Sequence, residues 1–259
     1  MILGLDIGNT SIVVGGLDES AIHFTAEFST DLYKTSDEYA IMLKTVLEIH
    51  DIDRKGLEGA IIGTVVPALG EVLREAVRKV TGRKALLVGS GLKTGLNILI
   101  DSPAQAGSDL IVNALGALAQ YPKPILIFDM GTATTLAVVN SKGNYVGGMI
   151  IPGVMLGMEA LSNGTAQLPH ISLEAPKKMI GTNTTDCMKS GAVYGNAAML
   201  DGIISRAEEE LGEKATVVAT GGMAAKIVPY CRRNIIWDEN LTLKGLLILY
   251  RKNMKTKES

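Results

Sequence analysis

The sequence predicts an α/β protein made of two related lobes. Three observations carry this. An apolar run ending in Asp-x-Gly and small polar residues, then a second apolar or Thr/Val-rich run, occurs at Asp6-Ile7-Gly8-Asn9-Thr10. It recurs at Asp129-Met130-Gly131-Thr132, nearly half the chain later. Strand-like runs alternate with helical periodicity along the rest. The chain has 259 residues, too many for one small domain and ordinary for two lobes. One repeat at half length points to a duplicated domain, whereas a solenoid needs a short period repeated several times.

The elements follow in order. Met1 to Leu5 and Ser11 to Leu17 read as two strands joined by the Asp6–Thr10 turn. Thr35 and Glu38 have capping-box spacing, ahead of Tyr39, Met42, Leu43, Val46 and Leu47 on one helical face. Gly59 to Val66 is a buried strand. Pro67 suits a helix start, with Leu69, Val72, Leu73, Ala76 and Val80 along its face. Ala85 to Val88 is a further strand, and 109–120 a helix. Pro122 and Pro124 interrupt next, which sets a boundary near 120–123 and lobes of 1–121 and 122–259. In the second lobe Ile125 to Phe128, Thr134 to Val139, Tyr145 to Ile151 and Ala215 to Ala219 are strands. Gly221-Gly222 leads into a helical stretch. Met149 to Met158 and the lone Trp237 are expected in the core.

Bulk composition narrows the function. The net charge of −2 gives no basic face for nucleic acid. The basic run Arg251 to Lys257 is short and reads as a solvated, frayed end. Cys187 and Cys231 have neither metal nor disulfide spacing, so a reducing cytoplasm is expected. No apolar run approaches the ~20 residues of a membrane span, and the N-terminus lacks the features of a signal peptide. His23, His50 and His170 are scattered and read as structural or exposed.

A phosphate needs converging backbone N–H groups with no Cβ in the way, and a glycine in a tight turn supplies them. Gly8 can close such a turn. Asn9 and Thr10 can add donors, and Asp6 can hold Mg²⁺ through water. A plain hairpin turn would use the same residue types. The second copy at Asp129 and the late Gly221-Gly222 pair favour nucleotide binding. The segment Val88 to Thr94 is not a P-loop, since Leu92 occupies the place of the glycine before Lys93-Thr94. Asp109, opening a helix after Gly107-Ser108, reads equally as a helix-terminal carboxylate or as the group that orients an attacking hydroxyl.

Taken together the motifs form an ordered series. It runs Asp6-Ile7-Gly8-Asn9-Thr10, Gly107-Ser108-Asp109, Asp129-Met130-Gly131-Thr132-Ala133-Thr134-Thr135, Gly148 to Gly153, Thr165 to Pro169, and Ser190-Gly191 with Gly195. This series resembles the type III pantothenate kinases over nearly the whole chain. The resemblance implies an actin-like (ribonuclease H-like) two-lobe fold with an interlobe nucleotide cleft, and a homodimer with the substrate site at the interface. It implies ATP-dependent phosphorylation of pantothenate, the first step towards coenzyme A, with Mg²⁺ and a monovalent cation, K⁺ or NH₄⁺. By resemblance the phosphate loop maps onto Asp6, Ile7, Gly8, Asn9, Thr10, Ser11, Ile12 and Val13. The catalytic carboxylate maps onto Asp109, the cation ligand onto Asp129 and the second nucleotide contact onto Thr132. The acceptor is expected on Gly107, Ser108, Asp109 and Leu110, with Thr184 donated across the dimer interface.

Three positions depart from the family pattern. Leu110 stands where an Arg usually follows the catalytic Asp. Ile100 replaces an aromatic residue, and Thr182 a basic one. The first two belong to the acceptor side. A kinase of another small alcohol, or a non-catalytic nucleotide-binding regulator of the same descent, is therefore the alternative reading.

Overall fold

The computed structural model describes residues 1–89 and 91–255. Ser90, and Thr256 and Lys257 of the basic run, lie outside the described residues. The chain packs as two units. The first comprises 1–96, 101–119 and 240–259, and the second 97–100 and 120–239.

The first unit holds β1 (Ile2–Ile7), β2 (Ser11–Leu17), β3 (Ile22–Ser29), α1 (Ser36–Ile49), β4 (Gly59–Thr64), α2 (Pro67–Thr81), β5 (Leu86–Leu87) and α3 (Ser108–Leu118). Its sheet runs β3-β2-β1-β4-β5. The first three strands are antiparallel, and β4 and β5 continue parallel to β1. The helix signals act as expected. The Thr35 hydroxyl accepts from Glu38 N–H at 3.3 Å, while the Glu38 carboxylate accepts from Thr35 N–H at 2.8 Å. Pro67 opens α2, and Gly82, at φ +71°, ends it in the left-handed region.

β1 is buried on both faces, which is why it reads as an unbroken apolar run. Leu3, Leu5, Ile7, Ile12 and Val14 join Leu43, Leu47, Leu69 and Leu73 of α1 and α2 in one cluster. Burying each such side chain contributes about 1.5–3 kcal/mol. The other face is paved with glycine. Gly4 pairs with Gly15, and Gly63 pairs with Asp6. The final helix, α8 (Leu241–Lys255), lies here. Leu243 reaches the Cβ positions of Gly4 and Gly15, and Leu246 those of Gly4 and Gly63. Against α3, a Cβ on Gly245 would stand 2.0 Å from Val112 O, and one on Gly116 2.6 Å from Leu241 O. The C-terminal helix thus belongs to the first unit, because only glycine-lined surface lets it approach so closely. Arg251 and Lys252 are not frayed: Arg251 pairs with Glu19 at 2.7 Å and Glu58 at 2.6 Å, and Lys252 donates to Thr94 O.

The second unit repeats the plan. β6 (Ile125–Met130), β7 (Ala133–Val139), β8 (Tyr145–Pro152), β9 (Thr216–Thr220) and β10 (Ile236–Trp237) form a sheet in the order β10-β9-β6-β7-β8. Read from β8 this is the same order as the first sheet, with β9 and β10 again in the parallel positions. Helices α4 (Val154–Gly164), α6 (Asn196–Leu211) and α7 (Ala224–Ile227) bury Leu126, Phe128, Met130 and Leu136. A shorter α5 (Thr184–Ser190) runs through a π-helical turn, Gly191–Gly195, directly into α6.

Two core expectations fail here. Of Met149 to Met158, Val154 and Met158 are buried, but Met149, Ile150, Met155 and Leu156 are exposed, because β8 is an edge strand and α4 turns one face outward. Trp237 is 49% exposed, since β10 is a two-residue edge strand.

The end of α6 is fixed by a buried carboxylate. Glu208 is only 6% exposed, and accepts from Arg233 and Lys214 at 2.7 Å and from Ala215 N–H at 3.2 Å. Burial alone would raise its pKa. These donors outweigh burial and bring it from 4.5 to about 2. A depressed carboxylate stabilises the fold above its unfolded pKa, and that contribution is lost as pH falls through the folded value. Glu208→Gln should therefore cost on the order of 3 kcal/mol at neutral pH, the low end for breaking a buried pair, since Lys214 and Arg233 stay partly in water. In thermal melts the gap to the parent protein should close between about pH 4.5 and 2. A gap independent of pH would remove the ion pair as its cause.

Candidate active site

In the first unit, β1 and β4 end side by side, with Ile7 paired to Thr64. Gly8 N–H donates to Ser11 O at 2.9 Å, closing the turn into β2. A Cβ at Gly8 would meet Ser11 O at 3.0 Å, so the position leaves little room for a side chain. Thr30, just beyond β3, braces the turn from outside. Its hydroxyl donates to Gly8 O at 2.7 Å and its N–H to Thr10 O at 3.0 Å. Sequence reading missed Thr30. The one signal was its place directly after the alternating apolar and polar residues Ile22 to Ser29. Within Asp6–Val13, Asn9 and Thr10 are exposed, whereas Ile7 and Ile12 are fully buried in the α1/α2 cluster. Any contact Ile7 or Ile12 makes with a phosphate is confined to the backbone.

Asp109 stands in the first turn of α3, whose N-cap, Gly107, makes no side-chain cap bond. Ser108 Oγ donates to Thr64 O at 2.9 Å and pins the start of α3 to the end of β4. A Cβ on Gly107 would lie 2.4 Å from Asp109 Oδ1, so the carboxylate occupies space that only glycine leaves open. Asp109 is thereby held at the same strand edge as the Asp6 turn. Leu110 lies beside it, half-buried.

In the second unit, Asp129 sits near the end of β6, between Thr135 of β7 and Thr220 of β9. Gly131 N–H donates to Ala133 O at 3.0 Å, in a turn one residue shorter than its counterpart. Two more glycines close on it. Gly153, the N-cap of α4, donates to Thr132 O at 3.2 Å, and a Cβ there would meet that oxygen at 2.2 Å. Gly221 has φ +88°, and a Cβ there would lie 2.6 Å from Asp129 Oδ1 and 2.7 Å from Met130 backbone. Met223 N–H donates to Met130 O. Two glycines distant in sequence thus join Gly131 in converging on Asp129 and on an exposed Thr132.

The same unit contains a cavity of about 420 Å³ between α4 and the α5–π–α6 helix. Val154, Met158 and Leu161 line one side, Cys187, Met188 and Ala192 the other, with Thr184 and Asn196 as polar groups. Thr184 opens α5, behind Asn183, whose side chain accepts from Asp186 N–H at 2.9 Å.

A duplicated mixed sheet with an Asp-x-Gly turn at the end of each first strand defines the actin-like ATPase and sugar-kinase fold class. Solved structures agree. The activator of 2-hydroxyisocaproyl-CoA dehydratase from Clostridium difficile, with bound ADPNP, matches at TM-score 0.58 and 14% identity, over 99% of this chain and 97% of that one. The ROK hexokinase from Thermus thermophilus matches at TM-score 0.50 and 12% identity, over 100% and 99%. Within that class the chain belongs to the type III pantothenate kinase family. The model described by that name matches residues 2–206. Type III pantothenate kinases from an Exiguobacterium species (strain AT1b) and from Moorella thermoacetica are 41% and 39% identical over 255 and 253 residues, each across 98% of this chain and 100% of the relative.

Proposed function

We propose that this chain transfers a phosphoryl group from ATP to the primary hydroxyl of pantothenate, giving 4'-phosphopantothenate in the first step of coenzyme A synthesis. Family membership along the whole chain, with Asp109 fixed at the strand edge that carries the Asp6 turn, is the observation that supports it. The Gly8–Thr10 turn offers N–H and hydroxyl donors to the phosphates. Asp109 accepts the proton of the acceptor hydroxyl as its oxygen attacks phosphorus, and holds that oxygen in line. Thr132 supplies a second nucleotide contact.

The donor set at Asp129 fits a hard, weakly held cation. One carboxylate stands there beside turn carbonyls, and among the described residues no three His, Cys, Asp or Glu cluster as a dedicated metal cage. K⁺ or NH₄⁺ suits such a set, and Asp6 suits Mg²⁺ held through water. When bound, these ions neutralise charge on the transferring phosphoryl group. Gly107, Ser108 and Leu110 take the acceptor with Asp109, and Thr184 reaches it from the second subunit of a homodimer. The exposed Met149, Ile150, Met155 and Leu156 are in keeping with such an interface.

A coupled ADP-release assay with ATP, Mg²⁺ and K⁺, with and without pantothenate, tests this. Pantothenate-dependent turnover is expected, and its absence sinks the reading. Leu110 favours the second reading, a kinase of another small alcohol, because Leu cannot supply the planar fork of Arg. Turnover confined to another member of an alcohol panel would establish it. Leu110→Arg should lower KM for pantothenate about tenfold or more, the scale of a buried charge-assisted contact. An unchanged KM would show that this contact is made elsewhere.

A further inference from the structure

The π turn between α5 and α6 calls for a reason. Such turns are rare, have poorer hydrogen bonding than an α-helix, and concentrate at functional sites. Here the turn has glycine at both ends, Gly191 and Gly195, and buries Val193 in the core of the second unit. An α-helix would direct Asn196 N–H to Ala192 O. In this helix Asn196 N–H goes to Val193 O, and the Asn196 side chain takes over: its Nδ2 donates to Ala192 O at 2.7 Å. Asn196 therefore latches the turn with the bond its own backbone gives up.

The consequence falls on α5. One residue of an α-helix turns the chain by about 100°, so an extra residue in one turn rotates everything before it by about that angle. Before it lies α5, whose Thr184, Cys187 and Met188 line the cavity opposite Val154, Met158 and Leu161 of α4. Gly191, Ala192 and Asn196 line the same cavity. Among the described residues no charged side chain lines it, so Thr184 suits an uncharged part of the acceptor, such as a hydroxyl or amide of pantothenate, and not its carboxylate.

We infer that Asn196 is a positioning residue for the acceptor: it holds the π turn Gly191–Gly195 in place, and the turn holds α5 rotated so that Thr184 faces the cavity. This rests on the reading of Thr184 as an acceptor contact. Its prediction is a matter of donors. Asn196→Ala and Asn196→Asp remove the N–H donor, whereas Asn196→Ser keeps one, because a serine hydroxyl bonds readily to the carbonyl four residues back.

The experiment is steady-state kinetics on the full chain, with the acceptor that the ADP-release panel returns, alongside hydrogen exchange of residues 191–197. Asn196→Ala and Asn196→Asp should raise acceptor KM ~10-fold or more, the effect of a small misplacement of a substrate contact. KM for ATP should stay put, exchange should rise, and Asn196→Ser should restore both. Thr184→Ala separates the two claims. If Thr184→Ala leaves acceptor KM unchanged, the assignment of Thr184 fails. If Thr184→Ala raises it and Asn196→Ala does not, the latch is overturned alone. Equal loss in Asn196→Ser and Asn196→Ala, or a parallel rise in KM for ATP, also overturns it.

Discussion

Asp109→Asn should lower kcat by about 10²–10⁴, the usual contribution of a positioned proton acceptor, while ATP still binds. Asn is nearly the same size, so it can occupy the space over Gly107 that the missing Cβ leaves. The Ser108 bond to Thr64 O is untouched, so the start of α3 should stay where it is. What is lost is the carboxylate. ATP affinity measured by calorimetry should change little, because the Gly8 turn proposed to hold the phosphates is braced by Thr30 and Ser11, not by α3. Asn113, Thr242 and the α3–α8 glycine contacts fix α3 further along, so the fold should not respond. A variant that keeps parental turnover would take Asp109 out of the reaction. One that loses ATP binding as well would make it a structural cap.

The sequence made the two turns legible because tight turns demand particular residues. Asp, Gly and a small polar residue recur at Asp6 and Asp129 since each turn closes through a glycine N–H to a strand carbonyl. The central strands β1 and β6 were equally plain, being buried on both faces. What stayed hidden depends on partners far away in sequence. β3 is the exception: Ile22, Phe24, Ala26 and Phe28 alternate with polar residues, so this strand could be read locally. The place of α8 could not be read locally, since it depends on Gly4, Gly15 and Gly63 lying on one face of three strands. Trp237 and Met149 were expected in the core on hydrophobicity alone, yet edge position decides exposure. The π turn has no sequence signature beyond its paired glycines. Its latch, Asn196, looks like any polar residue on a helix.

Gly221→Ala should destabilise the second unit strongly. The sequence offers Gly221-Gly222 as a pair after a strand, but the two are not equivalent. A Cβ at Gly222 meets nothing within 4 Å, and its φ is ordinary. Gly221 lies at φ +88°, where an L-residue pays roughly 1–2 kcal/mol for the backbone alone. Its Cβ would also fall within 2.7 Å of Met130 N and C and 2.6 Å from Asp129 Oδ1. Backbone atoms of a central strand cannot retreat, so the loop or the carboxylate must move. A cost of more than ~3 kcal/mol follows from strain and overpacking together. Gly222→Ala, its neighbour and control, should fall within about 1 kcal/mol of the parent. Denaturant melts of the two variants decide the matter. If the losses are equal, Gly221 is not a point of close approach. If Gly221→Ala is destabilised and its turnover also responds less to added K⁺, the displaced group is the Asp129 carboxylate, and the glycine serves to keep that carboxylate in place.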